Sequence, residues 1–237
     1  MALPKDFENA LCKLADACTL YRQTTGYLAV LVGGAATAIY TAGRFMSGDF
    51  DIVAADDASF DAAMTSTGFV REYRDGHLLI GYHHPDHPGY GFQQVSGALF
   101  DGASDPDKIV LVAVTPDGAE IAMPSFEDMI ADRLGQAATA SPTDRSRLLQ
   151  ARALFRLAPK LDMAYLTRRV VQEGGDMALL QKDAKRMNVV VRVKLNELLE
   201  EIEARKASIG MRDTAETVDA FRNKGAGRTP EKRELLK

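Results

Sequence analysis

Gly33-Gly34 and Asp49-Phe50-Asp51 are the residues of this sequence best suited, by type and spacing, to do chemistry. The glycines follow Tyr27-Leu28-Ala29-Val30-Leu31-Val32, a nearly continuous apolar run that reads as a strand buried on both faces. Glycines at the end of such a strand let the backbone come close to a phosphate. The next helix then offers its N-terminus, where amide groups and dipole favour anions. In Asp49-Phe50-Asp51-Ile52-Val53-Ala54 acid and apolar residues alternate. Two carboxylates one residue apart on a strand share a face, about 6.6 Å apart along the chain. That spacing suits one or two Mg²⁺ (or Mn²⁺) ions held between protein oxygens and a nucleoside triphosphate. Two such ions would activate an attacking oxygen and stabilise the leaving pyrophosphate. A Gly-Gly pair alone is usually a turn, and Asp-x-Asp often arises by chance. Their order here, strand, turn, helix and strand with fourteen residues between Gly34 and Asp49, is what makes them informative.

The surrounding pattern supplies the elements that must hold these residues. Residues 5–25 read as an amphipathic helix, with Phe7, Leu11, Leu14, Ala15, Cys18 and Tyr21 at helical spacing and Gly26 as its left-handed cap. A helix is predicted over 58–67. Strand patterns follow at 69–73, 78–82, 91–99, 109–114 and 119–123, with Asp75-Gly76 and Asp117-Gly118 as hairpin turns. An antiparallel run appended to an α/β start predicts an α+β sheet rather than a doubly wound one. After Pro124-Ser125 the chain reads helical, over 126–139, 143–157, 161–172, 177–207 and 213–224. Ser125 is the N-cap of the first of these, and Asp128 makes a loose capping box.

The 237 residues, with 46% hydrophobic and 26% charged, exclude a disordered chain and suffice for a real core. No apolar run is long enough to span a membrane, and no signal-peptide pattern opens the chain. Cys12 and Cys18 lie on different sides of a helix and read as reduced thiols, so a cytoplasmic location is expected. The net charge of −4 divides unevenly: residues 1–159 carry −8 and residues 160–237 carry +4. That division suits metal and anionic ligand in front and polyanion contact behind, or simply a solvated helical surface. There is no Gly-x-Ser-x-Gly and no Gly-Lys-Ser/Thr, which removes serine hydrolase and P-loop readings.

With Gly33-Gly34-Ala35-Ala36, Arg44, Ser47, Asp49 and Asp51 in this order, the sequence resembles the nucleotidyltransferase superfamily with the DNA polymerase β-like fold. Within it, the chain is most similar to AbiEii-type toxins and related small bacterial proteins. Met123-Pro124-Ser125-Phe126-Glu127-Asp128-Met129-Ile130-Ala131-Asp132-Arg133-Leu134 is similar to the start of their helical part. Asp144-Arg145-Ser146-Arg147-Leu148-Leu149-Gln150-Ala151 is similar to the segment that follows it. The resemblance covers roughly residues 5–157. It implies an α+β fold with a nucleotidyltransferase-like mixed sheet and flanking helices, then an all-helical C-terminal part. The implied divisions are 1–124, 125–224, and a short helix or flexible tail over 225–237.

The resemblance further implies a metal-dependent enzyme that moves a nucleotidyl group from a nucleoside triphosphate to an RNA or protein acceptor. Such an enzyme can be one half of a toxin–antitoxin pair, with a cognate antitoxin or regulator as partner. Asp49 and Asp51 would be catalytic and hold the metal, with Gly33 and Gly34 at the phosphates. Arg44 and Ser47 would meet phosphate too, unless Arg44 is a surface residue and Ser47 caps a turn. Arg133 stands near the place where related proteins carry a lysine that reaches the triphosphate, and would take that role, or else it forms a solvent-side pair with Asp132. One departure is plain: the superfamily's third carboxylate is expected near Gln93, where an amide stands, with Asp101 and Glu120 as substitutes. The alternative function is therefore a degenerate scaffold that binds a partner protein or RNA.

Two further groups invite function. All four histidines fall between His77 and His87, and His83-His84-x-x-His87 could ligate metal or contact substrate, but Pro85, Asp86, Pro88 and Gly89 predict a solvent-exposed loop. Lys182, Lys185, Arg186, Arg192 and Lys194 could hold an RNA backbone or form a solvated helix face.

Overall fold

The computed structural model of the protein describes residues 3–72, 80–141, 143–180, 193–215 and 217–218. Helix α1 (Lys5–Thr25) ends at Gly26, whose φ of 79° and N–H bond to the Arg22 carbonyl make the left-handed cap. Strand β1 (Val30–Val32) runs into helix α2 (Gly33–Tyr40), and β2 (Asp49–Val53) pairs antiparallel with β1. Helix α3 (Asp57–Ser66) is capped by the Asp56 carboxylate, which accepts the Ser59 N–H at 3.0 Å. Strands β3 (Val70–Glu72), β4 (Ile80–His83), β5 (Gly91–Ser96), β6 (Val110–Ala113) and β7 (Glu120–Met123) follow.

The sheet order is β3-β4-β5-β2-β1-β7-β6-β8, where β8 is the two-residue strand Val193–Lys194. The pairing is mixed. Strand β5 lies parallel to β2, and β7 parallel to β1, while hairpins join β3 to β4, β4 to β5 and β6 to β7. The parallel β2–β5 pairing sets Gln93 directly beside Asp51.

Alternation on β2 divides the sheet's two faces. Phe50 and Ile52 point into the main core, where Phe50 stacks between Phe7 of α1 and Phe92 of β5 with ring centroids 4.8 Å apart on each side. Asp49, Asp51 and Val53 point the other way. There Val30, Val32, Val53 and Ala122 form a smaller apolar cluster with Val95 and Leu99. Helix α2 is buried nearly all round, and the Tyr40 hydroxyl donates to the Pro124 carbonyl at 2.8 Å. That bond ties α2 to the start of α4 (Phe126–Thr139), which packs on α5 (Ser146–Leu157) and α6 (Met163–Gln172). One continuous hydrophobic core runs from Leu3 through these helices to Ile202 of α7 (Leu195–Ser208).

The α+β architecture expected from the sequence is the one observed, with two local differences among the described residues. The helical stretch expected over 177–207 instead gives a single 3-10 turn at Met177–Leu179, then β8 along β6 and α7. Residues 181–192, the Asp75-Gly76 turn, His77 and residues 219–237 lie outside the described residues. With them lie most of the basic segment, most of the expected 213–224 helix and the 225–237 tail.

The second difference concerns the histidines. His84 and His87 are 4% and 6% exposed rather than in solvent. The His84 ring meets the Phe69 ring edge-on at 5.0 Å, and His87 Nδ1 lies 3.0 Å from the Asp6 carboxylate on α1. The first turns of α1 cover this loop, and turn residues alone could not show that. Burial holds the His84 pKa below its ordinary value. Lys13, His87 and His83 push it the same way, and Asp86 opposes them. A depressed folded pKa means that the unfolded chain binds the proton more readily. The stabilisation is therefore complete above the ordinary histidine value and is lost as pH falls below about 6.5. We expect the urea midpoint to drop between pH 7.5 and 5.5 by less in His84→Asn than in wild type. Equal drops would remove His84 as the cause.

Candidate functional site

A cavity of about 860 Å³ opens on the face of the sheet that carries Asp49 and Asp51, with α4 and α5 along its far side. Its floor is built by contacts that need glycine. A Cβ on Gly33, whose φ is 70°, would stand 2.4 Å from Asp51 Oδ2, and one on Gly34 would stand 2.6 Å from Ser47 Oγ. The glycine pair therefore admits the aspartate and the serine against the start of α2, a closer approach than any side chain allows. Ser47 Oγ–H donates to the Asp49 carbonyl at 2.9 Å, and the Asp49 N–H donates back to Ser47 Oγ at 3.2 Å. Ser47 thus closes the turn before β2 and also lines the cavity.

Gln93 occupies the position anticipated for a third acid. Its Nε2–H donates to Asp51 Oδ1 at 2.7 Å. Among the described residues no three His, Cys, Asp or Glu side chains converge to hold a metal. Glu120, one candidate substitute, pairs with Arg22 at 2.9 Å and does not line the cavity. Asp101, the other, lines the same cavity but does not complete such a group with Asp49 and Asp51.

The opposite wall carries Arg133 and Arg147 together with Asp132 and Asp144. Arg133 of α4 is 2% exposed rather than solvent-facing. It holds Asp132 through Nε and a terminal nitrogen, and its other terminal nitrogen donates to Gln150 Oε1 at 3.4 Å. Arg147 of α5 reaches the same Gln150 oxygen at 3.4 Å. Burial lowers the Arg147 pKa first and the Arg133 charge second, against the attraction of Asp144, Asp132 and Asp51. Two guanidinium groups sharing one amide acceptor in a half-buried wall form a site that an anion would stabilise. Arg147 was not singled out by sequence reasoning. The signal was its spacing from Gln150, three residues on along one helix face, but only the packing of α5 on α4 brings Arg133 to meet them.

Arg44 is not part of this assembly. It lies outside the cavity lining and is paired with Asp213, which is itself bonded to the buried Lys206 at 2.9 Å. Lys206 also donates to the Ala42 carbonyl at 3.3 Å, so α7 grips the turn between α2 and β2. The structure thus brings Gly33, Gly34, Ser47, Asp49, Asp51 and Arg133 into one cavity, adds Gln93, Arg147 and Asp101, and leaves Arg44 at the C-terminal segment.

No family model and no curated protein matches the chain. Eight chains of solved structures are distantly similar, including these two. One is an antigenic nucleotidyltransferase-like protein from Paracoccidioides brasiliensis, at 13% identity and TM-score 0.48, covering 72% of this chain and 88% of that one. The other is JHP933 from Helicobacter pylori, at 13% identity and TM-score 0.45, covering 93% of this chain and 99% of that one. Likeness at this level assigns no activity. Among the described residues no helix is long and apolar enough to cross a membrane.

Proposed function

We propose that the protein binds a nucleoside triphosphate with one Mg²⁺ (or Mn²⁺) ion in this cavity, as a nucleotidyltransferase does, for transfer to an RNA or protein acceptor. One observation carries the reading. A glycine-lined helix start touches Asp51 and Ser47 on one wall, and Arg133 and Arg147 stand on the other, in a volume that suits a nucleotide. Two carboxylates with phosphate oxygens and water are a fitting donor set for one Mg²⁺, which is commonly held that way. Asp49 and Asp51 would hold it, and when bound it would neutralise phosphate charge. Gly33 and Gly34 would place backbone amides at the phosphates, and the two arginines would take the remaining negative charge.

A second reading, binding without transfer, is favoured by Gln93. A second ion needs another carboxylate, and the neutral Gln93 amide is engaged with Asp51 instead. Pyrophosphate release separates the two. With acceptor RNA or protein present, the transfer reading expects release from wild type. The binding reading expects none from wild type and a gain in Gln93→Glu. Absence of both nucleotide binding and release in the two proteins would remove both readings.

A further inference from the structure

Leu99, Phe100 and Asp101 line the same cavity, and their backbone is unusual. Phe100 (φ 47°, ψ 47°) and Asp101 (φ 52°, ψ 30°) are consecutive non-glycine residues in the left-handed region. Such a pair persists only where its surroundings enforce it. Here the enforcement comes from below. The Arg169 guanidinium lies over the Phe100 ring at 5.3 Å, Ser104 Oγ–H donates to Asp128 at 2.9 Å, and the Asp105 N–H donates to the Tyr165 hydroxyl at 3.1 Å. Asp128 and Arg169 are both fully buried. The turn is thus pre-set.

Its carboxylate is also uncommitted. Asp132 is held by Arg133 and Gln136, Asp144 accepts the Ser146 N–H, and Asp51 accepts from Gln93. Asp101 makes no hydrogen bond or ion pair among the described residues, although it faces the cavity. Between it and the acids runs apolar surface. Val95 is two residues beyond Gln93 on the same face of β5, and Val53 two beyond Asp51 on β2, a step of about 6.6 Å. A triphosphate fixed at Gly33–Gly34 would lay its sugar along that surface. An ionised carboxylate only accepts hydrogen bonds, and the donors a nucleoside offers at its sugar are the ribose hydroxyls.

We propose that Asp101 is a specificity-determining residue that accepts hydrogen bonds from the ribose hydroxyls, so that the site selects ribonucleoside over 2′-deoxyribonucleoside triphosphates. This rests on the nucleotide-binding reading above. The test is calorimetric titration with ATP, GTP, CTP and UTP, their 2′-deoxy counterparts, and inorganic tripolyphosphate, in the presence of Mg²⁺. Wild type should bind the ribonucleotide that it binds most tightly about tenfold better than its deoxy form, the scale of one hydrogen bond to a charged group. Asp101→Gly suits the left-handed backbone, so its melting temperature should not fall, yet its preference should shrink to within about twofold. Asp101→Asn keeps one acceptor and should fall between the two. Equal ribo and deoxy affinities in wild type, or an undiminished preference in Asp101→Gly, would overturn the proposal while leaving nucleotide binding intact. No binding of any nucleotide or of tripolyphosphate would overturn the nucleotide reading and this inference with it.

Discussion

Asp128→Ala is expected to lower the unfolding free energy by about 3–5 kcal/mol, the scale of breaking a buried ion pair on one side. Asp128 sits in the first turn of α4 with no exposed surface, and the Arg169 Nε–H donates to it at 2.6 Å. The hydroxyls of Ser104, Ser125 and Tyr165 donate to it as well, at 2.9–3.0 Å. Removing the carboxylate leaves a fully buried guanidinium without its main counter-charge and three hydroxyls without their acceptor. Glu173, which also bonds Arg169, is the only other carboxylate bonded to it among the described residues, and it lies near the surface. Arg169→Met should cost a similar amount. The double variant should cost less than the two single costs combined, since each single change strands a buried partner. Urea unfolding curves check this. A loss under about 1 kcal/mol in Asp128→Ala would show that the network contributes little.

The second large effect concerns ligand and not folding. Asp51→Asn keeps the shape that packs against Gly33 and can still bond the Gln93 amide, but it halves the negative charge of the Asp49/Asp51 pair. Affinity for Mg²⁺-nucleotide should fall about 100-fold, or ~2.7 kcal/mol. The urea midpoint should hold or rise, because two like charges on one strand face repel each other. A variant that binds nucleotide as wild type does would place the ligand elsewhere. One that binds poorly because it unfolds would mark Asp51 as structural.

What the sequence disclosed and what it hid divide along physical lines. Helix α4 begins after Ser125, as the capping pattern requires, since the Asp128 N–H donates to Ser125 Oγ at 3.1 Å. Caps and glycine turns act within a few residues, and so they are legible. The glycine pair and the Asp-x-Asp strand were legible for the same reason: each is a short pattern tied to one local geometry. Gln93 could be placed near Asp51 by resemblance, whereas the parallel β2–β5 register that puts them side by side spans forty residues and leaves no periodic trace. Arg147 and Asp101 enter the cavity only through helix packing and a strained turn. Arg44, expected at the phosphates, is paired with Asp213, a partner 169 residues away that no local pattern could reveal. His84 and His87 lie in a loop as expected but are buried for a similar reason, being covered by a helix about eighty residues earlier.

In the proposed function one cavity holds a Mg²⁺-nucleoside triphosphate between Asp49, Asp51 and the glycines on one side and Arg133 and Arg147 on the other. Its most direct test is a calorimetric titration of the wild-type chain with each nucleoside triphosphate, with Mg²⁺ and with excess EDTA, repeated in Asp51→Asn. Saturable binding at one site per chain, weakened by EDTA and weakened again in Asp51→Asn, is the predicted result. Nucleotide binding indifferent to both, or no binding of any nucleoside triphosphate with Mg²⁺ present, would contradict it.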